Sequence, residues 1–126
     1  MPAFYSIDKE RRIVFSSGTG ALTREDILDH QDRLLSDPDF DPTFSQFIDF
    51  TGVTDFKMGP DDVLFLAERN VFSPKSRRAL LVGSDLLYGF ARMFEMVRDA
   101  KGETGIRVFR NRDGALAWAF KGEEVS

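Results

Sequence analysis

A short apolar segment in the middle of the chain constrains the fold more than any other feature. The run from Ala79 to Gly83 contains no polar side chain, which is typical of a central strand in a parallel sheet with both faces covered. Ser84 and Asp85 follow as residues that favour a helix start, and the apolar side chains from Leu86 to Ala100 recur at helical spacing. A fully covered strand joined directly to a helix predicts an α/β fold.

The rest of the chain alternates between strand-like and helix-like patterns, with two strands at its start. No linker or repeat divides residues 1–126 into separate domains. The order predicts a single β-β-α-β-α-β-α-β-α sandwich, in which a mixed, mainly parallel sheet of five strands carries about four helices. The other predicted segments are strands Phe4–Asp8, Arg12–Ser17, Phe44–Phe50 and Ile106–Phe109, helices Thr23–Leu35, Pro60–Val71 and Asn111–Phe120, a break at Gly18 and Gly20, and a loop over Thr51–Gly59.

The composition argues against several classes of function. The chain has no cysteine and one histidine, which excludes disulfides, thiolate zinc sites and cysteine nucleophiles. Its net charge of −4, with scattered basic residues, argues against binding of nucleic acid. No apolar run approaches the ~20 residues of a membrane span, and the first residues lack a signal-peptide pattern. We expect a soluble, cytoplasmic protein with no cofactor or metal and no nucleic-acid partner.

Two charged groups that attract notice have simple structural interpretations. Arg77 and Arg78 stand just before a strand-like run, and we expect them to be charged strand ends that face water. Asp37, Asp39 and Asp41 have the spacing that begins a calcium loop, but the glycine and the final glutamate of such a loop are missing. We therefore expect a solvated turn without a metal.

Several short landmarks occur in order along nearly the whole chain. They are Gly20-Ala21-Leu22-Thr23, Asp37-Pro38, Asp49, Tyr88-Gly89-Phe90-Ala91-Arg92-Met93, Val108-Phe109 and Ala115-Leu116-Ala117-Trp118. Together with the order of the segments, they resemble the STAS superfamily, and in particular its SpoIIAA-like branch, often labelled STAS/SEC14. The resemblance implies a STAS-like sandwich and offers two different pictures of function.

The first picture is a phosphorylation switch. In the anti-sigma factor antagonists of the superfamily, a partner kinase phosphorylates a serine at the start of the second helix, and the added charge changes partner binding. Where that family has Asp-Ser-Ser-Gly, this chain has Lys57-Met58-Gly59-Pro60, without a hydroxyl. Thr51 and Thr54 lie nearby but not at the helix start, so we predict that the usual switch is missing. The second picture, by analogy with lipid-binding Sec14 domains, is a groove for an apolar ligand.

The long helix after the central strand carries more apolar surface than one buried face needs. On a wheel of about 100° per residue, apolar side chains cover half of the circumference, and Arg92, Glu95, Arg98 and Asp99 share the other half with Tyr88. Phenylalanine, tyrosine and methionine are common in interfaces. The helix is therefore a broad core face, a dimer contact or one wall of a ligand groove. Its apolar residues are Leu86, Leu87, Phe90, Met93, Phe94, Met96, Val97 and Ala100.

A second candidate region is the edge at which the parallel strands end. Ligands of open α/β sheets bind beyond the carboxyl ends of the strands, where we expect Asp49, Thr51, Ser84, Asp85 and Asn111. The helix start at Ser84 and Asp85 offers backbone N–H groups to a phosphate or carboxylate. The alternative is that Ser84, Asp85 and Asn111 serve only as helix caps.

We expect a non-enzymatic domain that acts through protein contacts, as a homodimer or with an unknown protein partner. The alternative is a carrier or sensor of a small apolar or amphipathic, lipid-like ligand, held between the long helix and the loop Thr51–Gly59. An enzyme would instead need Asp49, Asp85 or His30 to meet in one cleft. The residues expected to bind a ligand or partner are Asp49, Thr51, Phe56, Met58, Ser84, Asp85, Tyr88, Phe90, Arg92, Met93 and Phe94.

Overall fold

The computed structural model describes residues 3–121, and its helices and strands follow one another in the predicted order. The elements are β1 (Ala3–Asp8), β2 (Ile13–Leu22), α1 (Arg24–Leu35), β3 (Ser45–Phe56), α2 (Pro60–Leu66), β4 (Arg78–Leu81), α3 (Asp85–Ala100), β5 (Ile106–Phe109) and α4 (Arg112–Lys121). The predicted α/β class is therefore confirmed.

The strands form a single sheet in the order of the sequence, β1-β2-β3-β4-β5. β1 pairs with β2 in antiparallel fashion, and all further pairs are parallel. Each strand-helix-strand crossover moves to the next strand in the same direction. Since such crossovers are right-handed, α1, α2 and α3 lie on one face of the sheet. α4 follows the last strand and packs against β3, β4 and β5 from the other face.

The two longest strands extend further than predicted. β2 continues through Gly18 and Gly20 to Leu22, and β3 continues to Phe56, so the predicted loop over Thr51–Gly59 was wrong for most of its length. Two irregularities in the β2–β3 pairing lie beside the glycines, and each places one extra residue on β3. Gly20 adopts a φ of 64° that other residues rarely tolerate. The glycines therefore lie opposite bulges of β3 and do not end β2.

The predicted helix starts are confirmed by their capping bonds. Thr23 Oγ1 accepts a hydrogen bond from the Asp26 backbone N–H at 3.2 Å, and the Asp26 carboxylate accepts one from the Thr23 N–H. α2 is shorter than predicted, because it ends at Leu66. Val71 instead lies in the connecting segment before β4, where it is buried.

The two faces of the sheet have different cores. On the α4 face, one cluster of buried residues joins the sheet to the helix. On the α1–α3 face, the buried residues form two clusters, one beneath α1 and one beneath α3. The α4-face cluster contains Ile13, Phe47, Ala79, Leu81, Ala115 and Ala119; the α1–α3 clusters contain Val14, Leu34, Phe44, Val71 and Phe72, and Leu80, Val82, Leu87, Ala91 and Ile106.

Candidate functional site

A cavity lies between the sheet and helices α1, α2 and α3, and we call it the α1–α3 cavity. It consists of two adjoining spaces of about 60 Å³ and about 100 Å³. The smaller space lies beside His30 and Ser16, and the larger one extends to α2 and α3. The residues that line both spaces are Ile27, Gln31, Ile48, Phe50 and Arg78.

The larger space has mostly apolar walls. Phe56 at the end of β3, Met58 in the following turn, and Phe90 and Phe94 on α3 all line it. The rings of Phe56 and Phe90 are in contact, with their centroids 4.9 Å apart. Four of the residues predicted to bind a ligand therefore lie together around one space. The other wall residues on this side are Val63, Leu66, Leu80, Leu87 and Ala91.

The remaining predicted residues of α3 do not line this cavity. The Tyr88 ring lies under the Arg110 guanidinium, whose central carbon is 4.5 Å from the ring centroid. Arg92 is exposed and pairs with Glu95 at 2.9 Å. Met93 is half-buried beside them on the helix. Tyr88 packs partly buried against the cluster beneath α3, and of the three side chains only Arg92 is fully on the surface.

Asp49 and Thr51 belong to the opposite face of the sheet. Asp49 Oδ1 accepts hydrogen bonds from the Thr51 backbone N–H at 2.8 Å and from the Thr51 hydroxyl at 2.6 Å, and the carboxylate also pairs with Arg112 of α4. Partial burial opposes ionisation of Asp49, but the bonds from Thr51 and Arg112 outweigh it and lower the pKa of the carboxyl. The group is a closed ion pair that does not reach the α1–α3 cavity.

The polar residues at the strand ends act as helix caps. Ser84 Oγ accepts a hydrogen bond from the Leu87 N–H at 3.2 Å, and Asn111 Oδ1 accepts one from the Gly114 N–H at 2.9 Å. Asp85 is exposed and pairs with Arg110 at 2.7 Å. The capping interpretation therefore describes Ser84 and Asn111, whereas Asp85 is an exposed ion-pair partner of Arg110.

The three residues considered for an enzymatic site do not meet. His30 lines the smaller space on the α1–α3 face, and Asp49 lies on the α4 face with Arg112. Asp85 stands at the start of α3 with its carboxylate on Arg110. No cleft among residues 3–121 combines them.

A chain of buried hydrogen bonds crosses the sheet beneath the cavity, and sequence reasoning missed it. Ser16 Oγ is 3.0 Å from His30 Nε2 and accepts a hydrogen bond from Gln46 Nε2 at 3.0 Å. Gln46 Oε1 in turn accepts one from Arg78 Nε at 3.0 Å. The chain links α1, β2, β3 and β4 and separates the two apolar clusters of this face.

Arg78 and Arg98 are buried, which corrects the predictions that Arg78 faces water and that Arg98 belongs to the polar half of its helix. They are 7% and 4% exposed, and both pair with Glu103, whose side chain lies in the loop after α3. A buried charge is tolerated where it is paired and hydrogen-bonded. The sequence does hold a signal for Arg98: it continues the spacing of Leu87, Ala91 and Phe94, which places it on the inner face of the helix.

Burial also determines the charge of His30. Its pKa is lowered from 6.5 to about 4, first because the ring is removed from water and then because Arg33 and Arg78 repel an added proton. The Tyr5 ring closes over it edge-on, with the centroids 5.4 Å apart. His30 is therefore neutral at pH 7.

Gly105 fixes the loop that carries Glu103. Its carbonyl accepts hydrogen bonds from the Arg78 N–H at 2.9 Å and from Trp118 Nε1 at 2.8 Å. A Cβ at this position would collide with the carbonyl oxygen of Ser76, so a glycine is needed for the close approach of the two backbones. The loop is thereby held against both β4 and α4.

Within residues 3–121, no group of three or more His, Asp or Glu side chains converges to hold a metal ion. Asp37 and Asp41 of the acidic turn accept hydrogen bonds from the backbone N–H groups of Asp39 and Thr43 instead. No helix in the same range is long and apolar enough to cross a membrane.

Comparison with known proteins supports the architecture. A solved structure, that of an uncharacterised protein from the DUF3478 family with a SpoIIAA-like fold from Shewanella loihica PV-4, superimposes with a TM-score of 0.58. This chain has a SpoIIAA-like fold. The two chains are 20% identical, and the match covers 93% of this chain and 91% of the other. The predicted resemblance is thus confirmed at the level of the fold. No family model matches the sequence, and no curated protein matches it.

Proposed function

We propose that this chain binds a small apolar or amphipathic ligand in the α1–α3 cavity, as a carrier or sensor that performs no reaction on it. The observation that carries the proposal is the larger space, whose wall of Phe56, Met58, Phe90 and Phe94 is almost entirely apolar. Ligand sites of proteins are concave and mainly apolar, with few polar groups. The cavity combines such a wall with one polar side, formed by Gln31 and Arg78.

The volume of the cavity limits the size of the ligand. A dry, apolar cavity of about 150 Å³ engineered into another protein takes up benzene. The spaces of about 60 Å³ and 100 Å³ adjoin along a shared wall, so together they suit a molecule of similar size or a short alkyl chain. A larger ligand would require the aromatic wall to move.

The proposal is tested by titrating the protein with hexan-1-ol and following the backbone amide signals by NMR. We expect saturable shifts confined to β3, β4, α1 and α3. Ala91→Leu adds side-chain carbons to the wall of the larger space and should weaken binding about tenfold or more, since each displaced methylene is worth roughly 0.8 kcal/mol. Ala100→Leu is the matched control, because Ala100 is exposed near the end of the same helix.

The outcome of this titration is decisive for the proposal. If the wild-type protein gives no saturable shift with hexan-1-ol, the cavity does not bind apolar molecules and the proposal is wrong. Equal binding by the wild type and Ala91→Leu would also contradict it, because the ligand would then bind elsewhere.

A second candidate function is self-association through the outer side of α3, which the exposure of two apolar residues favours. Leu86 is 58% exposed and Met96 is 62% exposed. Both side chains lie on α3, ten residues and about 15 Å apart along its axis, so a second copy lying along the helix would cover both. Sedimentation velocity over a wide concentration range tests this function: a reversible dimer that Met96→Glu abolishes would support it, and a monomer at all concentrations would contradict it.

A further inference from the structure

The two buried arginines differ in how completely their donors are used. Arg98 donates from Nε to Glu103 at 2.8 Å, from Nη1 to the carbonyls of Ala67 and Arg69 at 2.8 and 3.2 Å, and from Nη2 to Asn70 at 3.1 Å and to Glu103. A guanidinium has five N–H donors, and these contacts use all of them. Arg98 is therefore a completed structural group.

Arg78 is less completely paired. Within residues 3–121 its Nε donates to Gln46 and its Nη1 to Glu103, each at 3.0 Å, and Nη2 donates to no group. Two of the five donors are used, although the side chain is 8% exposed. Phe72 and Phe94 hold the guanidinium in place, with its central carbon 4.6 Å and 5.8 Å from their ring centroids. No Arg78 nitrogen is among the buried side-chain atoms that lack a hydrogen-bond partner, so Nη2 is accessible to solvent and free to donate to an acceptor that enters the cavity.

The free side of Arg78 faces the cavity. Arg78 is one of the few residues that line both of its spaces. Gln31 lines both as well, and its buried Oε1 has no hydrogen-bond partner in the described part of the chain. Rotation of the amide would present its NH₂ group as a donor instead. Two polar side chains with unused hydrogen-bonding capacity, Gln31 and Arg78, therefore line both spaces of the cavity.

The charges around the cavity do not balance. Arg78 and Arg98 contribute two positive charges, and Glu103 is the one carboxylate hydrogen-bonded to either of them among the described residues. The other polar side chains of the network, Ser16 and Gln46, carry no charge. An arginine cannot lose its proton under physiological conditions, so one positive charge remains uncompensated. A bound anion would supply the missing charge.

We infer that the ligand of the α1–α3 cavity is a small monocarboxylate, whose head group binds Arg78 and whose apolar part lies against Phe56, Phe90 and Phe94. The inference rests on the proposed function and specifies the class of its ligand. Adjacent Nη donors of a guanidinium match the two oxygens of a carboxylate. Gln31 adds a further hydrogen bond, and the larger space takes the chain or ring.

The test compares two probes that differ in charge but hardly in shape, hexanoate and hexanamide. Both are titrated into the wild-type protein at pH 7 and followed by NMR or calorimetry. We expect hexanoate to bind roughly tenfold to a hundredfold more tightly, since hydrogen bonds to charged groups are the stronger ones. If hexanamide binds equally well or better, the carboxylate inference is overturned and the proposed function stands. If neither probe nor hexan-1-ol binds, the proposed function itself fails.

Substitution of Arg78 tests whether the carboxylate of the ligand binds to this arginine. Arg78→Gln should lower the preference for hexanoate over hexanamide to within about twofold, while Arg112→Gln, which removes the exposed arginine that pairs with Asp49 on the other face, should leave it unchanged. An unchanged preference in folded Arg78→Gln would overturn the assignment. If Arg78→Gln does not fold, Arg78→Lys replaces it, because lysine keeps the positive charge but has no planar pair of donors. Arg78→Lys should retain only part of the preference for hexanoate over hexanamide. A full preference in this variant would overturn the paired geometry.

Discussion

The two faces of the sheet are built from the same strands but are packed in different ways. On the α4 face, small residues such as Ala79, Ala115 and Ala119 let the helix approach the sheet closely, and the buried residues form one continuous cluster. On the α1–α3 face, the chain from Ser16 to Arg78 divides the apolar residues into two clusters and a cavity remains beside it. Three helices on one face of a sheet therefore do not by themselves fill the space between the helices and the sheet.

The difference follows from the polar groups. An apolar layer can close without voids because its contacts have no direction. Arg78, Gln46 and Ser16 instead fix one another at hydrogen-bonding distances, so the helices above them cannot move in to fill the remaining space. The α4 face is therefore the better source of stability, and the α1–α3 face is the better place for a binding site.

The largest expected change in stability comes from replacing Glu103, the carboxylate that both buried arginines share. Glu103→Gln leaves Arg78 and Arg98 without their counter-charge and should lower the free energy of unfolding by about 3–5 kcal/mol. Urea denaturation measures the loss. Glu68→Gln is the matched control, because Glu68 is an exposed partner of Lys101, and its removal should cost less than about 1 kcal/mol. Similar losses in both variants would show that the buried network contributes little.

A pair of neighbouring leucines on β4 compares the two faces directly. Leu81 packs against α4 and Leu80 lines the cavity. Leu81→Ala should cost about 3–5 kcal/mol of stability and Leu80→Ala about 2–3 kcal/mol, since part of the Leu80 surface faces the cavity and not a packed side chain. Chemical denaturation of the two variants measures both losses of stability. A greater loss at Leu80 would mean that the cavity face is the better packed of the two.

The pH dependence of stability tests the burial of His30. Its folded-state pKa of about 4 lies below the ordinary value of 6.5, so the unfolded chain takes up a proton first as the pH falls. Stability is therefore complete above pH 6.5 and decreases towards pH 4, by up to roughly 3 kcal/mol. His30→Gln should remove this part of the dependence. Parallel stability curves for the wild type and His30→Gln between these pH values would contradict the buried, neutral state.

The smallest effects are expected from the same enlargement made on each face. Ala91→Leu fills part of the cavity and should stabilise the protein by about 0.5–2 kcal/mol. Ala115→Leu, on α4, enters a closely packed layer and should destabilise it by about 1–3 kcal/mol. Thermal unfolding shows whether each substitution raises or lowers the stability of the protein. Destabilisation by both substitutions would indicate that no usable space exists beneath α3.

The order of elements was predictable because local signals agree with one another. The apolar run at β4, the cap at Thr23 and the proline at Pro60 each mark an element without reference to distant residues. The full lengths of β2 and β3 were not predictable, because their continuation depends on pairing with each other across bulges.

The cavity was partly predictable and its polar side was not. The excess of aromatic residues on α3 and near Met58 pointed to the apolar wall. Arg78, at a strand start, has the appearance of a solvent-facing charge until Glu103 and Gln46 are placed beside it. Those partners come from other elements, and a single sequence carries no information on such long-range pairs.

The extension of β2 and β3 beyond β4 has a consequence for how quickly a ligand exchanges. Past Asp49, β3 pairs with β2 alone, and its end carries Phe56 into the wall of the cavity. Segments held by few neighbours open far more often than the whole domain unfolds. The lifetime of a bound ligand should therefore follow the opening rate of this two-stranded end, which makes release fast even if the domain itself unfolds slowly.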